Sequence, residues 1–116
     1  MKWFDWSKIS QEQLNNNLSR KFLYGEKIMV AQLFLRQGCV VPEHSHESEQ
    51  LSMVMTGSLR FKIGNEEISI SSNQVVTIPS GVTHSVTAIE DSLVFDIFSP
   101  LRTDWLSGDD SYLRQG

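Results

Sequence analysis

Several features are scarce in this chain of 116 residues, and each scarcity argues against a class of protein. Cys39 is the single cysteine, so no disulfide can form within the chain, and we interpret it as a small, half-buried residue. No stretch approaches the roughly 20 apolar residues of a membrane-spanning helix, so we expect no membrane partner. Residues 1–6 contain no apolar signal-peptide run, and we therefore expect a cytoplasmic protein.

Basic residues are also in the minority. Lys and Arg total 10 against 14 Asp and Glu, which gives a formal charge of −4, and no basic block is present. Nucleic-acid affinity comes largely from neutralising phosphates, so we expect no nucleic-acid partner.

What the chain does have is a succession of short β-rich runs. The length predicts a single domain over residues 1–116, and 40% hydrophobic residues are enough to form a core. Leu59, Phe61 and Ile63 alternate with polar residues, and Gly64-Asn65 follows as a two-residue hairpin turn. Further strands are predicted at residues 28–35, 51–55, 68–71, 75–78, 82–89 and 93–98.

Many short strands at close spacing predict an all-β fold, an antiparallel sandwich or barrel. We expect one short helical turn at Ser10–Leu14, with Ser10 as its N-cap, and a loop or short helical turn after Pro100. Trp105 and Leu106 in that last region are expected to pack back on the body.

All three histidines fall in one pattern. His44 and His46 are two residues apart and are followed by Gln50, and His84 ends the sequence Pro-Ser-Gly-Val-Thr-His. Imidazole is the commonest protein metal ligand near neutral pH. Residues two apart on a strand point to the same face, so we predict that His44 and His46 bind one metal ion, with His84 arriving from a later strand.

These residues resemble the two motifs of the cupin superfamily. Residues 38–57 match the first motif, with Gln50 standing where the family has Glu. Residues 73–88 match the second, with Asn73 in place of the opening glycine and Ala88 in place of the closing asparagine. Asn tolerates the left-handed turn that the glycine provides. The resemblance implies a single-domain jelly-roll barrel, a double-stranded β-helix, with a core over about 25–100, an N-terminal arm 1–24 and a C-terminal tail 101–116.

The C-terminal part of the chain is similar to one small cupin family, the KdgF-type proteins of pectin and alginate breakdown. That family has three His plus Gln at its metal, and it carries Asp, Phe and Arg at the spacing of Asp96, Phe98 and Arg102. Residues 19–21 and 112–114 are similar too, so the resemblance covers nearly the whole chain.

The resemblance implies an enzyme that linearises 4,5-unsaturated monouronates, left by lyases, to the 5-keto-4-deoxyuronate. One divalent ion, Ni, Zn, Fe or Mn, would anchor the sugar. Its implied ligands are His44, His46, Gln50 and His84.

Three further residues take roles in the implied reaction. Asp96 would act as general acid and base, because a carboxylate inside an apolar strand must be paired or functional. Arg102 would bind the substrate carboxylate or orient Asp96, and Phe98 would flank the sugar. Arg60 is an additional candidate for substrate binding, although its strand position favours exposure.

The ligand set itself has electrostatic consequences. Neutral imidazoles and an amide leave a divalent ion with its full +2 charge, which should attract an anionic substrate. Metal binding requires neutral imidazole, so an ordinary histidine pKa predicts that affinity falls below about pH 6.5.

Two other functions stay open at this point: a cupin dioxygenase that uses Fe or Ni, and a non-catalytic sugar-sensing module. Oxygen uptake would distinguish the first from a uronate-linearising enzyme. By analogy with the family we also expect a homodimer, with the apolar residues Trp3, Phe4 and Trp6 as candidate contacts.

Overall fold

The architecture is two antiparallel β-sheets that enclose one hydrophobic core, seen in a computed structural model that describes residues 1–115. A six-stranded sheet has the order β1-β2-β3-β10-β5-β8, and a four-stranded sheet has the order β4-β9-β6-β7. The strands are β1 (Glu12–Asn15), β2 (Leu18–Tyr24), β3 (Met29–Leu35), β4 (Val40–His44), β5 (Glu49–Thr56), β6 (Ser58–Ile63), β7 (Glu66–Ser71), β8 (Val75–Ile78), β9 (His84–Ala88) and β10 (Ser92–Ser99).

Helical structure is brief. A 3₁₀ turn covers Trp6–Lys8, an α-helix, α1, covers Thr103–Ser107, and a second 3₁₀ turn covers Ser111–Leu113. Among residues 1–115, no helix is long and apolar enough to cross a membrane.

Alternating burial along the strands sends every second side chain into the core. In β10, Val94, Asp96 and Phe98 are buried while the residues between them are only partly so. This is the period of two expected for a sheet with one face inside, and it confirms that these three side chains share a face. The core is completed mainly by aliphatic side chains such as Leu18, Met29, Leu35, Val54, Leu59 and Ile78.

Turn residues in the motifs have structural reasons. The predicted Gly64-Asn65 hairpin joins β6 to β7. Asn73 adopts a left-handed conformation with φ of 69°, the geometry that a glycine would otherwise supply. Gly57 has φ of 90°, and a Cβ there would collide with the Asp91 carbonyl oxygen and with Ser92, so only glycine fits.

The N-terminal region differs from the prediction. Residues 10–14 are not a helical turn, because Glu12–Asn15 pairs with β2 as an edge strand. Both β1 and β2 lie within residues 1–24, so the six-stranded sheet extends into the segment predicted as an arm. The polar composition that suggested a helix fits an edge strand with one exposed face equally well.

The C-terminal region contains the predicted short helical turn. Trp105 in α1 is buried at 6% exposure and packs against the core. Leu106 does not pack as expected and is 42% exposed. Successive residues of a helix point about 100° apart, so Leu106 points away from the side on which Trp105 is buried.

Candidate metal centre

Two of the three histidines meet as a cross-strand pair. His44 is the last residue of β4 and His84 the first of β9, and the two are direct partners in the antiparallel register. Their ring centroids are 4.2 Å apart. His46 does not lie on the same strand, contrary to the prediction, since β4 ends at His44 and residues 45–48 form an irregular connection to β5.

The connection nevertheless places the His46 ring beside the rings of His44 and His84. Its centroid lies 4.8 Å from that of His84 and 5.6 Å from that of His44. Two hydrogen bonds hold the loop: the Gly81 N–H donates to the His46 carbonyl oxygen, and the Ser48 hydroxyl donates to the Pro100 carbonyl oxygen. The candidate ligand atoms of the three histidines all lie within 4.8 Å of one another.

Each imidazole is oriented by its own backbone. Nδ1 of His44 lies 2.8 Å from the Pro42 carbonyl oxygen, Nδ1 of His46 lies 2.8 Å from that of Ser48, and Nδ1 of His84 lies 2.9 Å from that of Val82. A carbonyl only accepts, so Nδ1 carries the proton in all three rings. Every Nε2 therefore has a free lone pair, which is the arrangement found when a second hydrogen bond fixes a metal-binding imidazole.

The Nε2 atoms fit a cation. His84 Nε2 is buried and has no hydrogen-bond partner among residues 1–115. His46 Nε2 lies 3.0 Å from Gln50 Oε1, so two lone pairs face each other when the ring is neutral. Two ligand atoms bound to one ion at right angles, each about 2.1 Å from it, are about 3 Å from each other, which matches this separation. A divalent ion would satisfy the orphaned nitrogen and relieve the opposed lone pairs.

Burial keeps these rings neutral. It lowers the pKa of His44 and of His46 to about 4, with the Arg102 charge among the further causes, and it lowers the pKa of His84 as well. The expectation that metal affinity declines below about pH 6.5 is therefore revised to a lower pH, because burial already disfavours imidazolium in the folded protein.

Gln50 connects the histidines to a buried acid. Its side chain is 6% exposed on the inward face of β5, whereas the neighbouring Glu49 is exposed on the outer face. The Gln50 amide donates from Nε2 to the Ser52 hydroxyl at 2.9 Å, which turns Oε1 toward His46. Ser52 in turn donates to Asp96 Oδ1 at 2.5 Å, and the two residues are direct partners between β5 and β10.

The acid at the end of this chain is strongly perturbed. Burial raises the pKa of Asp96 to about 6, against the opposing effects of the Ser52 hydrogen bond, the Arg102 charge and Gln50. A carboxyl group with a pKa near the working pH can both give and take a proton. Asp96 was predicted from the sequence but Ser52 was not, since a serine in a strand carries no distinguishing signal.

Arg102 is buried at 2% exposure, and its guanidinium is held on several sides. Nε and Nη2 form a bidentate pair with Asp104, at 3.0 and 2.8 Å. The Tyr112 hydroxyl contacts Nη2 as well, and the cation lies over the rings of Phe98 and Trp105, at 5.0 and 4.9 Å from their centroids. Arg102 thus forms its salt bridge with Asp104 and not with Asp96.

Aromatic rings enclose the remaining sides of the cavity. Phe98 lies edge-on to His46 at 5.7 Å and to Trp105 at 5.2 Å. Tyr112 stacks on His44 at 4.6 Å with an interplanar angle of 29°. Asp96, Phe98 and Arg102 all line the same cavity as His44, His84 and Gln50. Tyr112 and Trp105 were not predicted to reach it, because sequence alone does not show that the tail folds over the metal site.

Two other residues lie apart from the centre. Arg60 is exposed on β6, where its neighbours Leu59 and Phe61 point inward, so the structure does not bring it to the cavity. Cys39 is 4% exposed and so is more deeply buried than the half-buried position predicted, and burial raises the pKa of its thiol, which disfavours the reactive thiolate.

A family comparison agrees with this arrangement. The cupin-domain family model matches residues 33–98, more than half of the chain, and the match includes the three histidines, Gln50 and Asp96. This chain is a cupin. The match begins in β3 and ends in β10, so the strands that carry the site belong to the conserved family fold and the C-terminal segment lies beyond it.

Individual relatives show further similarity. The pectin degradation protein KdgF of Dickeya dadantii (strain 3937) is 26% identical over 98 residues, covering 82% of this chain and 89% of that protein. The structure of KdgF from Halomonas sp. has a TM-score of 0.83 and 26% identity, covering 90% of this chain and 98% of that one. An RmlC-like cupin from Shewanella frigidimarina NCIMB 400 has a TM-score of 0.84 at 20% identity, covering 90% and 96%, and shows the fold alone.

Proposed function

We propose that this cupin is a metal-dependent enzyme of pectin or alginate breakdown that converts 4,5-unsaturated monouronates to the linear 5-keto-4-deoxyuronate. The observation that supports it best is the connection between the histidine triad and Asp96 through Gln50 and Ser52, inside one cavity that Arg102 also lines. Similarity to two KdgF proteins, one of them described as a pectin degradation protein, supports the choice of substrate class.

The conversion needs no second reactant. The C1–O bond of the cyclic hemiacetal breaks, the C1 hydroxyl proton leaves to give an aldehyde, and the ring oxygen becomes an enol hydroxyl. The enol proton then leaves while C4 gains a proton, which gives the ketone at C5. The product is an isomer of the substrate, so proton transfers and substrate positioning are what the protein must provide.

The residues of this chain suit those tasks. Asp96 carries the proton, since a pKa raised to about 6 allows it to serve in both directions near neutral pH. Arg102 binds the substrate carboxylate, and Phe98 forms an apolar wall that excludes water. His44, His46, His84 and Gln50 hold a divalent ion, which when bound supplies a positive charge that anchors and polarises the sugar's oxygens. Ni, Zn, Fe and Mn are all compatible with these ligands.

The test is a turnover assay. Protein loaded with a divalent metal should hasten the loss of the double-bond absorbance of unsaturated galacturonate, and a chelator should abolish the effect. Asp96→Asn should lower kcat by roughly a hundredfold or more while the metal stays bound. Asp109→Asn, at an exposed position outside the cavity, is the matched control and should be as active as the parent.

Failure of metal-loaded parent protein to accelerate the decay would reject the proposal. Oxygen consumption that depends on the uronate would favour a cupin dioxygenase instead.

We also propose that the enzyme acts in the cytoplasm as a homodimer. Trp3 and Phe4 are 81% and 55% exposed, and a groove beside Phe4 is lined by Tyr24 and Ile28, which are themselves more than half exposed. Large aromatic side chains are enriched at protein interfaces. Trp6 is less available, because it packs on Phe95 and its Nε1 donates to Gln32. Sedimentation of the parent and of Trp3→Ser tests the dimer.

A further inference from the structure

One wall of the metal cavity belongs to neither sheet. It is formed by the C-terminal segment, defined here as residues 101–113, which follows β10 and contains α1 and the second 3₁₀ turn. Arg102, Trp105, Tyr112 and Leu113 of this segment line the cavity, and the other lining residues come from strands. The segment lies against the metal ligands through the stack of Tyr112 on His44.

Three hydrogen-bond donors of this wall are incompletely used. Arg102 uses Nε and Nη2 for Asp104, while no hydrogen bond joins its Nη1 to the described residues. Trp105 Nε1 is buried without a hydrogen-bond partner among residues 1–115, although the Tyr112 oxygen is close to it. The Tyr112 hydroxyl contacts the Arg102 cation, and its proton has only a long contact of 3.5 Å to Asp104 Oδ2.

A buried indole N–H without a well-placed acceptor destabilises the fold, because its hydration is lost and not replaced. Trp105 is 6% exposed, so water from bulk solvent does not satisfy it. Such a donor, beside a buried guanidinium and a phenol, is available to an acceptor that the ligand brings into the cavity.

We propose that Trp105 and Tyr112, together with Arg102, form the site that binds the substrate's carboxylate, and that this site determines the preference for uronates over neutral sugars. The inference deepens the proposed function and rests on it for the identity of the sugar. Its new element is that two residues of the C-terminal segment, Trp105 through Nε1 and Tyr112 through its hydroxyl, contact the substrate.

The hydrogen-bond donors of the wall suit a ligand group with two acceptor oxygens. Asp104 already offsets part of the Arg102 charge through its bidentate pair, so the match depends on the donors as well as on the cation. Three separate N–H and O–H donors match the lone pairs of a single carboxylate. Burial raises the pKa of Tyr112, which keeps its hydroxyl a donor at neutral pH and not a competing anion.

The test compares Tyr112→Phe and Trp105→Phe, each of which removes one donor and keeps an aromatic ring. Exposed Tyr24→Phe and Trp3→Phe lie outside the cavity and are the matched controls, with sedimentation used to verify that each keeps the oligomeric state of the parent. Binding of D-galacturonate and of D-galactose to zinc-loaded protein is measured by calorimetry, and KM and kcat are measured with unsaturated galacturonate. Loss of one hydrogen bond to a charged group should weaken galacturonate binding and raise KM by roughly tenfold to a hundredfold, with much smaller changes in galactose binding and kcat.

The outcomes separate this inference from the proposed function. If the parent protein prefers galacturonate to galactose and Tyr112→Phe loses that preference, the carboxylate site stands even when unsaturated galacturonate is not turned over. If the parent turns over unsaturated galacturonate and Tyr112→Phe keeps its KM and its galacturonate affinity, the inference is overturned while the proposed function survives. Should Trp105→Phe fail to fold by circular dichroism, Tyr112→Phe alone decides.

Discussion

Replacing Ser52 with alanine removes the hydroxyl that donates to Asp96 at 2.5 Å in a site where both side chains are buried. That hydrogen bond favours the ionised carboxylate and is the largest of the effects that oppose burial at Asp96. Its loss leaves burial less opposed, so we expect the pKa of Asp96, already raised to about 6, to rise further.

The size of the rise follows from the strength of the bond. A hydrogen bond to a charged group contributes about 1.5–3 kcal/mol, and about 1.4 kcal/mol corresponds to a change of one in pKa. Ser52→Ala should therefore raise the pKa of Asp96 by about one to two. Because Gln50 loses the acceptor for its amide, metal affinity should also fall, since Oε1 is no longer turned toward His46.

The assay is a carbon-13 NMR titration of the labelled Asp96 carboxyl in metal-free protein, with Asp96→Asn used to assign the signal. Ser92→Ala is the control: Ser92 is equally buried on β10, but its hydroxyl contacts the backbone of Ser58 and Glu90 and no acid. In active protein the acidic limb of the pH–rate profile should move with the titration. An unchanged or lower pKa of Asp96 in Ser52→Ala would refute the reasoning.

Two further outcomes concern stability. Asp110→Asn removes the negative charge that lies 2.7 Å from the buried Arg20, which then keeps the longer 3.3 Å contact with Glu12. The free energy of unfolding by urea should fall by about 3 kcal/mol, and a fall below about 1 kcal/mol would contradict the importance of that pair. Metal-free protein should lose stability as the pH falls from 6.5 to about 4. Over this range His44 and His46 bind protons in the unfolded chain, whereas their lowered pKa keeps them neutral in the folded protein. Asp96, with a raised pKa, contributes the opposite change, so the loss of stability with falling pH should be steeper in Asp96→Asn. If the free energy of unfolding by urea in Asp96→Asn did not change between pH 6.5 and 4, the lowered histidine pKa values would be contradicted.

Much of the fold follows from local pattern. The alternation of Leu59, Phe61 and Ile63 and the Gly64-Asn65 turn specify a hairpin in a few residues, and the structure has that hairpin. Residues 10–15 show where local pattern fails: their polar composition fits a helical turn or an edge strand, and only pairing with β2 decides between them. Long-range pairing of this kind is not encoded in a short window.

The site was predictable where residue types are rare and spaced in a family motif. Three histidines and Gln50 were predicted in that way. His46, however, reaches the cluster from a loop, whereas its spacing from His44 predicted that both lie on one face of a strand. The cross-strand partner of Asp96 was not predictable, because Ser52 differs in no visible way from the other serines in strands. Nor did the sequence show that Asp104 binds Arg102, or that Tyr112 reaches His44 from the end of the chain.

The central claim is that four side chains hold one cation beside Asp96. It is tested most directly by a crystal structure of zinc-loaded protein with anomalous data collected at the zinc edge. A single strong peak bonded to Nε2 of the three histidines and to Gln50 Oε1, absent in His84→Ala, is the expected result. A map without a peak among these atoms, or with the zinc bound elsewhere on the chain, would contradict the claim.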